Sequence, residues 1–169
     1  MVSISTRHSP TKYAAQQLRY LFSDVLLSVV DSFQTTDNTD LMALITYIVE
    51  DSDTIRENLI STLEEIAPVK VVGFADTEHE ASAWLSHHNG DWKLAIVDLF
   101  LREGTGLGVL KGCQSRNADQ KVVVLTNYAT GDIRRRCAEL GSDAVFDKSN
   151  ELDELIDYCM QATSRKDLH

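Results

Sequence analysis

Five polar residues stand out by type and by place: Glu50, Asp51, Asp98, Thr126 and Lys148. Each follows a short aliphatic and β-branched run, LITYIV before Glu50-Asp51, LAIV before Asp98, VVVL before Thr126 and AVF shortly before Lys148. Carboxylates brought within a few ångströms of one another repel, and a hard divalent cation relieves the repulsion. One or two carboxylates with waters and a phosphate oxygen make the octahedral oxygen environment of Mg²⁺. A hydroxyl and an ammonium beside such a site suit a phosphoryl group, whose oxygens need donors and positive charge. Singly, these residues have plainer readings. Asp51 or Ser52 could cap a helix, and Lys148 alone could be a solvated lysine. It is the combination, each group at the end of a different apolar run, that points to a metal and phosphoryl site.

The elements that must position these groups alternate regularly. The apolar runs are Leu44–Val49, Val69–Phe74, Leu94–Val97, Val122–Leu125 and Ala144–Phe146. The helix-like stretches that follow them are Ser52–Ile66, Thr77–His88, Thr105–Arg116, Thr130–Leu140 and Glu151–Ala162. In the first of these, Ile55, Leu59, Leu63 and Ile66 form one apolar stripe. The central runs are nearly all apolar, as strands covered on both faces should be. This pattern predicts an α/β fold, a doubly wound parallel sheet of five strands with right-handed crossovers. In such sheets the ligand lies outside the carboxyl ends of the strands, at the topological switch point.

Composition narrows the functional classes. The 169 residues carry a net charge of −10. Residues 44–169 hold 22 acids and 13 bases, a net of −9, so the acidity belongs to this part. A generic nucleic-acid surface needs a basic footprint, and an anionic lipid surface would be repelled as well. Cys113, Cys137 and Cys159 are widely spaced without a CxxC pair, so a disulfide framework or a structural zinc site is not expected. No apolar run reaches the roughly 20 residues of a membrane span. We expect a reduced, cytoplasmic setting.

The stretches IVEDS, IVDLFLREGTGLGVL, VVVLTNYAT and GSDAVFDKS, with gaps of 47, 28 and 22 residues between Asp51, Asp98, Thr126 and Lys148, resemble the receiver domains of two-component response regulators. The resemblance covers about residues 44–162. It implies a flavodoxin-like (βα)5 fold, with Glu50 and Asp51 as the acidic pair that holds Mg²⁺ together with Asp98. It further implies Asp98 as the phosphoacceptor, Thr126 as the hydroxyl that meets the phosphoryl group and Lys148 as its basic partner. The donor would be a phosphohistidine on a histidine kinase or a phosphotransfer protein. Such a chain is a phosphoacceptor signalling protein rather than an enzyme. Only about seven residues follow the last helix-like stretch, so a single-domain regulator is expected, acting on a downstream protein by contact or by onward transfer.

The chain departs from that pattern in places. Val145 stands where receivers carry an aromatic, and Phe146 should face the other side of the sheet. Ser149 replaces the usual proline after the lysine, which removes the main support for a cis peptide there. Phe100 and Tyr128, two after Asp98 and Thr126, should flank the path of an attacking water. The REGTGLG segment lacks the lysine and hydroxyl of a P-loop and reads as a flexible turn. Arg134-Arg135-Arg136 reads as a solvated helix face, with a partner-docking patch as the alternative. His87-His88 reads as a helix C-terminus.

Residues 1–43 lie outside the receiver pattern, so the domains are an N-terminal extension, 1–43, and a receiver, 44–169. Within the extension, Leu18, Leu21, Phe22, Val25, Leu26, Val29, Val30 and Phe33 describe an amphipathic helix. It would need a surface to bury it, such as its own receiver or a second copy in a homodimer. Gln34–Asp40 reads as a linker. Rival functions fit less well. An aspartate-nucleophile phosphatase would want an acid at Phe100, and a flavin binder would not place Glu50-Asp51 against a phosphate. A receiver-like interaction module that works without phosphorylation remains the alternative, because Val145 and Ser149 weaken the expected switch.

Overall fold

The computed structural model describes residues 43–164. The predicted N-terminal helix, the linker and the homodimer they would serve fall outside the described residues. The strands are β1 (Leu44–Val49), β2 (Val69–Ala75), β3 (Leu94–Val97), β4 (Lys121–Thr126) and β5 (Ala144–Asp147). The helices are α1 (Asp53–Ile66), α2 (Glu78–His87), α3 (Gly106–Gly112), α4 (Gly131–Glu139) and α5 (Leu152–Ser164). All strand pairs are parallel, in the order β2-β1-β3-β4-β5. The chain leaves β1 toward β2 on one side and returns to β3 on the other. The switch point therefore lies between the carboxyl ends of β1 and β3.

Side-chain alternation divides the interior into two layers. Ile48, Ile96, Val123, Leu125 and Phe146 face α1 and α5, meeting Leu59, Leu63, Leu155 and Ile156. Tyr47, Val49, Ala95, Val97, Val122 and Val124 face the other way, against Ala81, Leu85, Val109, Leu110 and Cys137 of α2, α3 and α4. Phe146 thus lies in the layer opposite that of Val145, as the alternation predicts. Cys113, Cys137 and Cys159 are buried, free thiols.

Four helices start on a hydroxyl cap. The side chains of Ser52, Thr77, Thr105 and Thr130 accept from the amides of Ile55, Glu80, Gly108 and Ile133. The predicted third helix is shortened. It stops at Gly112 rather than reaching Arg116. Three of its seven residues are glycine, which weakens a helix, and the Arg116 guanidinium turns back to bond the carbonyls of Cys113, Gln120 and Gly141.

The glycines of REGTGLG form a close-packed turn rather than a flexible one. Gly104 has φ +77°, and a Cβ on Gly106 would stand 2.1 Å from the backbone oxygen of Asp98. The residue that follows the third strand is therefore backed directly by a helix N-terminus. Gly106→Ala should cost about 1–3 kcal/mol of stability in urea unfolding, because backbone must shift. Gly131→Ala, with nothing within 4 Å of its Cβ position, is the matched control and should stay within about 0.5 kcal/mol.

Candidate functional site

The carboxyl ends of β1, β3 and β5 bring Glu50, Asp51, Asp98 and Lys148 to one place, and Thr126 ends the β4 strand beside them, with its hydroxyl bonded to the Tyr128 amide. The ladder amides continue into it, with Glu50 N–H donating to Ala75 O at 3.0 Å and Asp98 N–H donating to Val49 O at 2.9 Å. Register, not local sequence, thus sets the carboxylates beside one another. Glu50, Asp51 and Asp98 each offer an oxygen, and these oxygens all lie within 4.8 Å of one another. Glu50 and Asp98 are buried, and Asp51 is half-buried.

Lys148 comes from the far side of the sheet. Its Nζ donates to Glu50 Oε2 at 2.6 Å and to Asp98 Oδ2 at 2.7 Å. Its backbone N–H donates to Thr126 O at 3.0 Å. Burial raises the Glu50 carboxyl above the usual carboxylate range, while Lys148 pulls it the other way. Burial would lower the Lys148 ammonium, but Asp98 and Glu50 outweigh it and hold it above the ordinary lysine value. With all three carboxylates ionised, the group of four carries two negative charges in excess. A single divalent cation balances that excess. The donor set is all oxygen, without a nitrogen or sulfur ligand, and so fits a hard cation such as Mg²⁺.

The loops that carry these groups are tied to one another. Arg56, buried in α1, donates to Glu50 O at 2.9 Å and to Asp76 Oδ1 at 2.7 Å, and it also pairs with Asp53. Asp76 in turn accepts from Arg102, which lies beyond Asp98, at 2.6 Å. Glu78, the first residue of α2, accepts from Thr105 N–H at 2.7 Å. Its carboxylate occupies the space a Cβ on Gly108 would need. Three loops are thereby clasped around the acidic cluster.

Phe100 and Tyr128 are both exposed, at 56% and 60%, and their rings meet at 5.0 Å between centroids. Each donates its own amide two residues back, Phe100 N–H to Asp98 Oδ1 and Tyr128 N–H to Thr126 Oγ, both at 3.4 Å. The rings therefore pack against each other above the residues that precede them. The peptides of the described residues contain no cis bond. His87 and His88 close α2, each with Nδ1 against a carbonyl of the preceding turn. Arg134 corrects the reading of its run as a solvated face. Its guanidinium is engaged with Ala129, Val145 and Glu151, whereas Arg135 pairs only with Asp132. Arg56, Glu78 and Arg134 were not legible as site neighbours. The Arg134 partners lie 5, 11 and 17 residues away, and no spacing rule connects them.

Residues 46–159 match the family described as the response regulator receiver domain. A curated relative, the DNA-binding transcriptional activator DevR/DosR of Mycobacterium tuberculosis, is 28% identical over 86 residues. That match covers 51% of this chain and 39% of the relative, so the chain spans well under half of that protein. Among solved structures, the response regulator domain of Thermotoga maritima CheB aligns with TM-score 0.62 at 19% identity, over 72% of this chain and 97% of that one. A response regulator from Burkholderia pseudomallei, solved with a phosphorylated aspartic acid and a calcium ion, gives TM-score 0.59 at 20% identity, over 73% and 70%. CheY in the CheX-CheY-BeF3-Mg complex of Borrelia burgdorferi represents the same comparison at TM-score 0.57 and 15% identity, over 68% and 88%. At these identities the structural likeness speaks for the fold.

Removing the ammonium should expose the charge imbalance. Lys148→Met leaves buried Glu50 and Asp98 without their shared cation and should lose about 3–5 kcal/mol in urea unfolding. Millimolar Mg²⁺ should restore part of that loss. In Asp51→Asn, the shift of the unfolding midpoint with Mg²⁺ should shrink, because one of the three candidate ligands is neutralised.

Proposed function

The chain belongs to the response regulator receiver family, and we propose that it accepts a phosphoryl group onto Asp98 from a phosphohistidine donor. Members of this family are phosphoacceptor signalling modules rather than catalytic enzymes. The single observation that carries the reading is the Lys148 Nζ held between Glu50 and Asp98 at 2.6 and 2.7 Å, beside the third carboxylate of Asp51.

In this reading Asp98 attacks in line. A carboxylate oxygen forms the O–P bond as the N–P bond of the donor breaks, and the histidine leaves with the electron pair. Glu50, Asp51 and Asp98 would hold Mg²⁺, which when bound would supply charge neutralisation to the phosphoryl oxygens. Lys148 follows the oxygen of Asp98 that it already contacts and offers a second positive charge. The Thr126 hydroxyl offers a donor. Little covalent work falls to the remaining residues, so positioning and electrostatics dominate.

The donor is a histidine kinase or a phosphotransfer protein, and output runs through protein contact or onward transfer. We place the chain in the cytoplasm, where such donors act. No helix among the described residues is long and apolar enough to cross a membrane. DNA binding is named for the DevR/DosR relative, and the part matched here is a minority of that protein. A receiver-like module that binds partners without phosphorylation is the second reading, favoured by Val145 at the position where receivers carry an aromatic.

Incubation with acetyl phosphate and Mg²⁺, read by intact mass, separates the two. The first reading expects one added phosphoryl group on the wild type and none on Asp98→Ala. An unmodified wild type favours the second. A further expectation concerns lifetime. The Phe100–Tyr128 pair screens the attacking water, so Phe100→Asn should speed loss of the phosphoryl group by about three- to tenfold, roughly 1 kcal/mol of barrier. An unchanged or slower rate would remove that role.

A further inference from the structure

The sequence places no ring at Val145, yet the structure puts a different side chain in contact with that strand position. Arg134, on the first turn and a half of α4, reaches three segments at once. Its Nε donates to Ala129 O at 3.0 Å, in the turn that follows Thr126. One terminal nitrogen donates to Val145 O at 2.6 Å, on β5. The other donates to both carboxylate oxygens of Glu151, at 2.9 and 2.7 Å, at the entrance to α5. Glu151 accepts in addition from the Asp147 amide at 2.8 Å, one residue before Lys148. The Arg134 hydrogen bond is the leading cause that holds the Glu151 carboxyl below the usual range.

These bonds close a circuit. Thr126 Oγ accepts from Tyr128 N–H, whose neighbour Ala129 presents its carbonyl to Arg134. Arg134 holds Glu151, and Glu151 holds the backbone beside Lys148. The Thr126 hydroxyl and the backbone beside Lys148 are thus the two ends of one chain of bonds. Phosphorylation of Asp98 would replace its single negative charge by about −1.5 to −2 carried on the phosphoryl oxygens. If the Thr126 side chain rotates to donate its hydroxyl to that group, its Oγ moves away from the Tyr128 amide and the Ala129 carbonyl shifts with the turn. The guanidinium holds its three nitrogens in one plane, and each bonds a different segment, so a shift of one acceptor is passed on to the others instead of being absorbed.

We propose that Arg134 is a positioning residue that carries the state of the Thr126–Ala129 turn to the junction of β5 and α5, in place of a ring at Val145. The proposal rests on Asp98 being the phosphoacceptor. Its consequence is that the backbone from Val145 to Glu151 responds to occupancy of Asp98 through a charged tie.

The test is an amide NMR titration of the full chain with beryllium fluoride and Mg²⁺. In the wild type, shifts are expected at residues 126–130 and at residues 144–152. In Arg134→Gln the shifts at 126–130 should remain, whereas those at 144–152 should fall by about fivefold. Arg134→Lys, which keeps the charge but not the planar fork, should recover only part of them. Uptake of phosphoryl from acetyl phosphate should persist in Arg134→Gln, since no reacting atom is touched. Equal responses at 144–152 in wild type and Arg134→Gln would overturn the coupling and leave the Asp98 reading standing. A wild type with no response at either segment would overturn the Asp98 reading, and the coupling with it. Should Arg134→Gln lose amide dispersion, Glu151→Gln takes its place with the same two outcomes, because it removes the charge from the other half of the pair.

Discussion

The charge balance around Lys148 constrains everything else near the carboxyl ends of the strands. Two buried carboxylates and a half-buried third are gathered at the edge of an apolar sheet. Desolvation opposes each of them, and mutual repulsion adds to it. The ammonium between Glu50 and Asp98 relieves part of this cost, and with all three carboxylates ionised an excess of two negative charges remains, which suits a hard divalent cation. A site neutral without a cation would have little reason to take one up, and a site without Lys148 would be hard to fold at all. The arrangement holds only if the register of β1 against β3, and of β4 against β5, is kept. A slip of one residue would exchange the side chains of the two interior layers and carry the carboxylates out of line with one another.

Register alone does not hold a loop, and the clasp of Arg56, Asp76, Arg102 and Glu78 supplies what it lacks. Each tie joins loops distant in sequence, and Arg56 reaches the backbone of Glu50 itself. The glycines after Asp98 are part of the same device. Gly106 lets the start of α3 lie against the Asp98 carbonyl, and Gly108 gives the Glu78 carboxylate its space. Their chemistry is spatial, which is why the segment looks like a phosphate-binding loop without serving as one.

The strands, and the places of the five polar residues at or after their carboxyl ends, could be read from the chain because each is a local signal. β-branched runs mark strands, an apolar stripe marks α1, and a polar residue at the end of an apolar run announces a site. Helix ends were legible where a hydroxyl caps them, as at Ser52 and Thr130. The end of α3 was not, because the three glycines and the returning Arg116 act against a helical pattern that otherwise continues. Arg56 and Arg134 were hidden for a related reason. An arginine on a helix is usually solvated, and only the folded arrangement shows which carbonyls lie within its reach. Residues 1–42 carry the clearest amphipathic stripe in the chain, yet a stripe specifies that something must cover it and not what does so.

Cations are scarce in residues 44–169, with 13 bases against 22 acids, and Arg102, Arg135 and Arg136 lie exposed on the surface. Arg56, Arg116 and Arg134 are instead placed where backbone carbonyls of separate segments converge, and each also meets a carboxylate. A guanidinium suits this position better than an ammonium, since its five donors are held in one plane and can serve several acceptors without losing their charge. Lysine is used where one point charge must sit between two carboxylates, as Lys148 does. The division follows from geometry. Planar cations join segments whose relative position matters, and a compact cation occupies the space between two buried carboxylates.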